Sequence, residues 1–529
     1  MTDLGPLAHL RAQLAAPRGR ARLDALVERD DAAEAVAALP VGAVHELIAD
    51  IGLADAGPLL ALATPEQIQG CLDLEVWDRD RVDLAQARPW IAALLELGFE
   101  KVGAVWAGLD AEWRALYLQG HTVIYDLSGG EDPDHDYDYA DVDDADAPPV
   151  WFTPDGSFAL RLLGDEDHAR LTMALVDDLY RADMALARHT ILAARSEPTA
   201  SLEETSFRWR SGRLADDGYV DFHEALALFA PLTVEQYNAE VTAPTAPLID
   251  TASPLPRLLT EQLLRRNFLA HCWERASENA DVGERLEQAL VSVTNQVLAA
   301  ARVRPGDSTA LAAAADYATA TISLGLETIA RGDVVRGGEL LAVASLQRLH
   351  RVGFTATRRL ARVAAALAPR ATSADDVAQA MVNALAAARP WFPTLADSPP
   401  TEGIRPFASL ADLRRGAEVL ADLALRLAVA ERLGVILTGG GAEQPPLDDH
   451  ARTALARWIA SGELEPRALT QAELRATRDA LTRDIDRAAA LAAIRDHLGD
   501  DGGLSPRLAA VVDRWLDDVT ETIASLDLD

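Results

Sequence analysis

Lysine is nearly absent from this sequence, and its scarcity excludes one class of nucleotide site. The chain has 529 residues and 49 basic side chains, and Lys101 is the only lysine among them. A phosphate-binding P-loop needs Gly-Lys-Ser/Thr, whereas Val102 follows Lys101 here. The GxGxxG and GxSxG motifs of dinucleotide-binding proteins and hydrolases are absent as well.

Cysteine and aromatic residues are also scarce. Cys71 and Cys272 are the only cysteines, so we expect neither a disulfide framework nor a zinc site. Aromatic residues make up 5% of the chain, and Ala and Leu supply most of its 49% apolar content. Because strands draw on β-branched and aromatic residues, this composition favours packed helices.

Positive charge is in short supply, with 83 acidic residues and a net charge of −34. Nucleic acids and anionic membranes both attract cationic surfaces, so we expect no nucleic-acid partner and no anionic-membrane partner. No apolar run approaches the roughly 18 to 20 residues of a membrane span, and residues 1–20 lack the apolar core of a signal peptide. We therefore expect a soluble cytoplasmic protein without membrane insertion.

Short helices with regular spacing are predicted for residues 21–120. Helix starts recur near residues 39, 62, 84 and 109, and each begins a short amphipathic run. The clearest is Thr64-Pro65-Glu66-Gln67, in which Thr64 caps the helix and Gln67 completes a capping box. Short helices at even intervals predict stacking into a small superhelix, and the alternative is an irregular bundle with accidental spacing.

This segment resembles the cytoplasmic N domain of MgtE-type magnesium transporters. The short helices of that domain begin with Leu-Pro or Leu-x-Pro-Glu, and the similar starts here are Leu39-Pro40 and Leu62-Ala63-Thr64-Pro65. The resemblance implies a superhelical shape for residues 21–120. It carries over no magnesium ligand, because none matches residue by residue, and the membrane helices of the transporter have no counterpart in this chain.

A small antiparallel sheet is predicted next. His121 to Leu127 has the composition of a strand, and Val150–Phe152 and Ser157–Leu163 flank the turn Thr153-Pro154-Asp155-Gly156. Residues 131–147 lie between these strands and are dense in acidic side chains. A loop of this kind is expected to stay solvated and mobile.

The functional alternative for this acidic loop is a divalent-cation site. Its candidate ligands alternate along the chain: Asp132, Asp134, Asp136 and Asp138. An EF-hand loop needs Gly at its sixth position and Glu at its twelfth, whereas Tyr137 and Asp143 stand at those positions here. The solvated loop is therefore the favoured interpretation.

Pattern changes divide the chain into five predicted segments. Capping boxes are predicted at residues 201–204, 233–236 and 470–473. The fold class is mostly α, with short-helix superhelical repeats, a small antiparallel β insertion, and a helical bundle or array. The segments are 1–120 (superhelical repeat region), 121–165 (β insertion with the acidic loop), 166–256 (helical segment with a Pro-rich linker), 257–438 (helical bundle) and 448–529 (C-terminal helical unit).

Aromatic and arginine side chains are concentrated between Phe207 and Phe229. We interpret this stretch as a junction between two helical halves. Guanidinium groups suit carboxylates and phosphates, so it is a candidate site for a small anionic ligand. The alternative is ion pairing with Asp216, Asp217 and Asp221 nearby. The candidate ligand-binding residues are Arg208, Trp209, Arg210, Arg213 and Tyr219.

Three stretches resemble an uncharacterised bacterial family, a domain of unknown function. They are residues 153–158 (TPDGSF), residues 208–218 (RWRSGRLADDG) and Leu324-Gly325-Leu326-Glu327. The resemblance spans nearly the whole chain and implies a fold without implying an activity.

The leading functional hypothesis is a non-enzymatic scaffold or adaptor that binds protein partners through a helical-repeat surface. No catalytic set and no cofactor motif is visible, so we expect no cofactor and no enzyme, and a homo-oligomer is possible. One alternative is an enzyme or sensor that binds an anionic ligand at the Arg208–Arg213 junction. The other is a regulatory protein that responds to divalent cations.

Overall fold

The computed structural model describes most of the chain as two compact units. The first unit comprises residues 1–230, 242–319 and 334–348, and the second comprises residues 231–241, 320–333 and 349–529. The residues described are 16–78, 80–133, 150–216, 219–220, 222–239, 256–304, 306–371, 376–432, 447–482, 486–498 and 505–526.

Short helices fill the N-terminal part of the first unit, as predicted. The four predicted starts correspond to helices that begin at Val41, Pro65, Leu84 and Ala111. Further short helices lie between them, so the superhelical repeat itself remains a prediction. The helices are α1 (Gly19–Val27), α2 (Ala32–Ala37), α3 (Val41–Ile51), α4 (Gly57–Leu62), α5 (Pro65–Glu75), α6 (Leu84–Leu95), α7 (Phe99–Gly108) and α8 (Ala111–His121).

Helix α5 starts as its sequence predicts. The Thr64 hydroxyl accepts from the Gln67 backbone N–H, and the Gln67 side chain accepts from the Thr64 backbone N–H. The Gln67 amide also donates to the backbone carbonyls of Val36 and Leu39. One capping residue therefore ties α5 to the end of α2.

The predicted antiparallel sheet is confirmed. β3 (Thr122–Asp126) and β4 (Val150–Phe152) both pair with β5 (Phe158–Leu162), in the order β3-β5-β4. Gly156 takes a positive φ of 67° in the turn between β4 and β5, a conformation that glycine adopts without strain. A two-residue hairpin that the sequence did not predict, β1 (Trp77–Asp78) with β2 (Arg81–Val82), follows α5.

Helices follow the sheet as far as residue 343. Of these, residues 234–239 and 320–330 belong to the second unit and the others to the first. The capping box predicted at Ser201 is wrong, because the helix already begins at Thr199, after Pro198, and Ser201 lies in its first turn. The box at Thr233 is confirmed. The helices from here to residue 343 are α9 (Glu166–Ala182), α10 (Met184–Ser196), α11 (Thr199–Asp216), α12 (Phe222–Ala225), α13 (Val234–Ala239), α14 (Arg257–Arg265), α15 (Asn267–Ala276), α16 (Ala280–Ala301), α17 (Ser308–Ala330) and α18 (Val334–Val343).

A cluster of aromatic residues lies in the core of the first unit. Trp106, Trp113 and Tyr117 are buried, and their ring centroids lie 5.8–6.1 Å apart. Leu and Ala side chains surround these rings in one continuous cluster from Leu23 to Leu202. The scarcity of aromatics therefore coexists with an aromatic centre of the kind that stabilises helix packing.

Long helices form the second unit together with a short β hairpin. The proline-rich residues 390–406 contain β6 (Phe392–Pro393) and β7 (Ile404–Arg405), which pair antiparallel. The capping box at Thr470 is confirmed. The helices are α19 (Leu346–Ala371), α20 (Asp376–Ala386), α21 (Leu410–Arg432), α22 (Leu447–Ser461), α23 (Gln471–Leu481), α24 (Arg487–Leu498) and α25 (Ser505–Ser525).

Two glycines let α17 and α19 approach closely within the second unit. A Cβ added at Gly353 would fall well inside van der Waals contact with the Thr321 carbonyl oxygen, and one at Gly325 would meet the Leu349 carbonyl oxygen in the same way. Gly325 belongs to the Leu-Gly-Leu-Glu run on which the family resemblance rests. Its missing side chain thus has a packing role.

Among the residues described, none of the helices is both long enough and apolar enough to span a membrane. The most apolar long helix by composition, α17, still carries Asp316 and Glu327.

Candidate functional site

Helix α11 carries the predicted arginine cluster, and its helical period divides these residues between two faces. Arg210 is buried and Arg213 is half-buried, one turn apart. Arg208 lies on the opposite, exposed face. Trp209 lies one turn before Arg213 at the edge of the buried face, and its side chain is 57% exposed. The structure therefore brings together only part of the predicted ligand-binding set.

Arg213 binds two carboxylates at once. Its Nε and Nη2 atoms donate to Asp73 at 2.6 and 3.2 Å, and its Nη1 and Nη2 atoms donate to Asp110 at 3.1 and 2.7 Å. Asp73 lies on α5 and Asp110 directly precedes α8. We call Asp73, Asp110 and Arg213 the Arg213 cluster.

Two neighbours hold the Arg213 cluster in place. The Gln69 side-chain amide donates to Asp73 at 3.1 Å, and its oxygen accepts from the Asp110 backbone N–H at 3.0 Å. Arg210 Nε donates to the Asp73 backbone carbonyl at 2.8 Å, with its guanidinium 5.1 Å from the centroid of the Trp77 ring. Helix α11 is thereby tied to α5 and to the start of α8.

Burial and ion pairing shift the pKa values in the Arg213 cluster, and that of the neighbouring Arg210, in opposite directions. Burial lowers the pKa of Arg210 to about 10. Burial also acts to lower the pKa of Arg213, but the hydrogen bonds with Asp73 and Asp110 outweigh it and raise that pKa. The Asp73 side chain is 1% exposed, and burial raises its pKa while Arg213 opposes the shift. The charge of Arg213 therefore favours the ionised form of a carboxylate that water cannot reach.

The chemistry of this cluster is that of a structural ion network. All three nitrogens of the Arg213 guanidinium already donate to carboxylates of the chain itself, so an anionic ligand would have to displace Asp73 or Asp110. Arg208 pairs with Glu204 one turn away at 3.0 Å, on the exposed face. The Tyr219 backbone N–H donates to the Leu214 carbonyl. Asp217 and Asp221, proposed as partners, lie outside the described residues.

Sequence analysis overlooked Asp73 and Asp110, which lie more than 100 residues before Arg213. A signal for Asp73 was present. It stands between Leu72 and Leu74 in a helix whose residues from Gln67 to Leu74 are all buried. A buried carboxylate requires a partner, but no local pattern identifies Arg213 as that partner.

The predicted cation site falls largely outside the residues described. Asp132 is described, whereas Asp134, Asp136 and Asp138 are not. Within the described ranges, no group of three or more His, Cys, Asp or Glu side chains is arranged to hold a metal ion.

The cysteines do not provide a reactive thiolate. Both side chains are buried, and burial raises the pKa of Cys71. Cys272 packs in α15 beside the buried Trp273, with its Sγ atom 3.7 Å from the Val334 carbonyl oxygen. A nucleophilic cysteine needs a lowered pKa and access to solvent, and neither condition is met at Cys71.

Two histidines pack ring against ring in the first unit. The ring centroids of His121 and His168 lie 4.1 Å apart, and His121 Nδ1 donates to the Tyr117 carbonyl at 2.6 Å. The His121 side chain is 3% exposed. Burial lowers its pKa to about 4, the bond to Tyr117 opposes this shift, and the charges of His168 and Arg88 add to it.

The lowered pKa of His121 predicts a loss of stability in acid. The unfolded chain binds a proton near pH 6.5 and the folded chain only near pH 4, so the stability that neutral His121 contributes is complete above pH 6.5 and lost between these values. The loss is on the order of 3 kcal/mol. His121→Gln should show a smaller fall in urea-unfolding free energy between pH 7 and pH 4.5 than the wild type. His189→Gln, at an exposed position of α10, should retain the wild-type fall, and equal falls in all three proteins would contradict the prediction.

The second unit has an apolar groove between α19 and α21, with a volume of about 720 Å³. We call it the α19–α21 groove. From α19 it is lined by Ala356, Arg359, Leu360 and Val363, and from α21 by residues spaced three and four apart from Leu410 to Ala424. The Val363 side chain is 44% exposed, whereas Leu360 and Leu420 are buried, so the groove is open to water at Val363 and has a buried apolar floor.

The charged side chains that line the α19–α21 groove are arginines. They are Arg359 and Arg414, and within the part of the chain described no carboxylate lies within 4.0 Å of either guanidinium. The acidic side chains of α21 that the structure describes are paired elsewhere: Asp412 with Arg405, Glu418 with Arg415, and Asp422 with Arg507. The groove is therefore locally basic in a chain of net charge −34.

The start of α21 is held in place by carboxylates. Asp412 Oδ2 accepts from the backbone N–H groups of Ala408 and Ser409, and the Ser409 hydroxyl accepts from the Asp412 backbone N–H. Glu327 of α17 accepts from the Leu410 backbone N–H at 2.9 Å. One wall of the groove is thus anchored to the second unit.

A family model described as a family of unknown function (DUF6178) matches residues 1–529. Comparison with curated proteins and with solved structures yields no match. The resemblance of residues 21–120 to the N domain of MgtE-type transporters therefore remains a prediction.

Proposed function

The chain belongs to the DUF6178 family, and we propose that it is a non-enzymatic adaptor that binds a protein partner in the α19–α21 groove. The observation that carries the proposal is a largely apolar groove of about 720 Å³, open to water at Val363. Exposed apolar surface is costly and commonly marks an interaction site in soluble proteins. The basic rim at Arg359 and Arg414 would orient the partner.

The remaining chemistry of the chain is compatible with an adaptor. In the Arg213 cluster, the guanidinium group is saturated by carboxylates of the chain itself. Cys71 and Cys272 are free thiols, which suits the reducing conditions of the cytoplasm, and we propose that compartment. Binding of a partner is sufficient to explain a helical framework with an uncovered groove.

Site-specific photo-crosslinking in native cells tests this function. With benzoylphenylalanine in place of Ala417, which lines the groove, we expect one discrete protein adduct, which mass spectrometry identifies. Ala365 is the matched control, because it is an exposed alanine on the side of α19 that faces away from the groove. The Ala365 position should give no such adduct. Absence of an adduct at Ala417, or the same adduct at both positions, would contradict the proposal.

The anionic-ligand alternative at the Arg208–Arg213 junction makes a different prediction. Phosphate or citrate should raise the melting temperature of the wild type, and Arg210→Ala and Arg213→Ala should abolish the rise. Because Arg213 already engages Asp73 and Asp110, the α19–α21 groove is the better-supported site. The cation-responsive alternative rests on residues 131–147, and calorimetry with Mg²⁺ and Ca²⁺ before and after deletion of that loop tests it.

A further inference from the structure

We infer that the occupant of the α19–α21 groove is an acidic amphipathic helix of a partner protein. This inference rests on the proposed function and specifies the chemistry of the partner. It is drawn from the spacing of the residues that line the groove, from its length, and from the charges at its rim.

The spacing of the lining indicates a helical occupant. On α21 the groove is lined at positions 410, 413, 414, 417, 420, 421 and 424, and on α19 at positions 356, 359, 360 and 363. Both sets follow the three-and-four alternation with which one helix packs against another. Two helices that present such stripes to a shared groove offer the seat that a third helix fills in a bundle.

The length of the groove suits several helical turns. From Leu410 to Ala424, at 1.5 Å per residue, α21 lines about 21 Å of groove, which is about four turns of helix. Alanines at 417, 421 and 424 leave room for larger side chains of the occupant. Leucines or other bulky residues at every third or fourth position of a partner helix would pack against them.

The rim determines the sign of the occupant's charge. Arg359 projects from one wall and Arg414 from the other, and the described carboxylates of α21 are already paired with other arginines. Glutamates that flank the apolar stripe of a partner helix would pair with both walls. A basic helix would instead place its own positive charges against Arg359 and Arg414, and like charges in contact cost binding energy.

Peptide binding to the purified full-length chain tests the inference. The probe is a fluorescent peptide of about 18 residues, or about five helical turns, with Leu at heptad a and d positions and Glu at the flanking positions. Its twin carries Lys in place of each Glu. Ala417→Trp, which fills the groove, measures the attraction of either peptide to other parts of this acidic chain, and only binding that this variant loses is counted as groove binding.

We expect the acidic peptide to bind the groove at least about tenfold more tightly than its basic twin. Arg359→Glu with Arg414→Glu should reverse this preference. The matched control, Arg20→Glu with Arg170→Glu, makes the same change of net charge at two exposed arginines of the first unit and should leave the preference unchanged.

Besides failure of the acidic peptide to bind, four outcomes would overturn the inference. They are equal or stronger groove binding of the basic peptide, a preference that survives the Arg359 and Arg414 reversal, a concentration-dependent dimer in sedimentation that Ala417→Trp abolishes, and displacement of the bound acidic peptide by a long-chain fatty acid. If the acidic peptide fails while the Ala417 crosslink persists, the inference is wrong and the adaptor function stands. If both fail, the function itself is wrong.

Discussion

Replacing Arg213 with methionine is expected to lower the free energy of unfolding of the first unit by about 3–5 kcal/mol. The substitution keeps an unbranched side chain but leaves Asp73 and Asp110 without their shared cation. Asp73 is 1% exposed, so water cannot replace the lost hydrogen bonds. Urea denaturation followed by tryptophan fluorescence measures the loss, because Trp77 lies beside Arg210 in the same region.

Arg208→Met is the matched control for this experiment. It makes the same substitution on the same helix, but the Arg208 and Glu204 side chains are 71% and 75% exposed. Exposed ion pairs contribute little, so a change of less than about 0.5 kcal/mol is expected. Adding Asp73→Asn and Asp110→Asn to Arg213→Met should recover part of the lost stability, because the uncompensated charges are removed. Equal losses in the two single variants would contradict a structural role for the Arg213 cluster.

The sequence predicted elements of this fold where local chemistry determines them. The capping box at Thr64 and the turn at Gly156 are specified by a few neighbouring residues, and both are present. The box at Ser201 was wrong because the Pro198 that precedes Thr199 supplies a competing helix start three residues earlier. Local signals of equal quality can thus compete, and the chain uses only one of them.

The two candidate sites lay beyond sequence analysis for a different reason. Arg213 follows Asp110 by 103 positions in the chain and Asp73 by 140. Helical periodicity carries no information about pairings over such distances. The sequence of α21 indicates an apolar stripe but does not indicate whether another helix covers it. Whether a stripe is core or binding surface depends on the packing of the second unit.

Gly353→Ala is expected to destabilise the second unit by about 3 kcal/mol or more, near or beyond the upper end for added methyl groups in a packed core. The new Cβ would overlap the Thr321 carbonyl oxygen, and a backbone atom within α17 cannot rotate away as a side chain can. Gly325→Ala should have a similar cost. Because either change forces α17 and α19 apart at the same crossing, the double variant should lose less stability than the sum of the single losses.

Gly212→Ala is the control, because it makes the same change within α11 at a position with no atom within 4 Å of the new Cβ. There the substitution should stabilise the chain by about 0.5–1 kcal/mol, since alanine favours helix more than glycine does. Thermal unfolding of the four variants distinguishes the expected destabilisation from the expected stabilisation. A stable Gly353→Ala protein would show that the crossing can widen at little cost in free energy. Because α19 is also one wall of the α19–α21 groove, Gly353→Ala should weaken the Ala417 crosslink as well. The helix crossing that stabilises the second unit would then also be what holds its binding surface in shape.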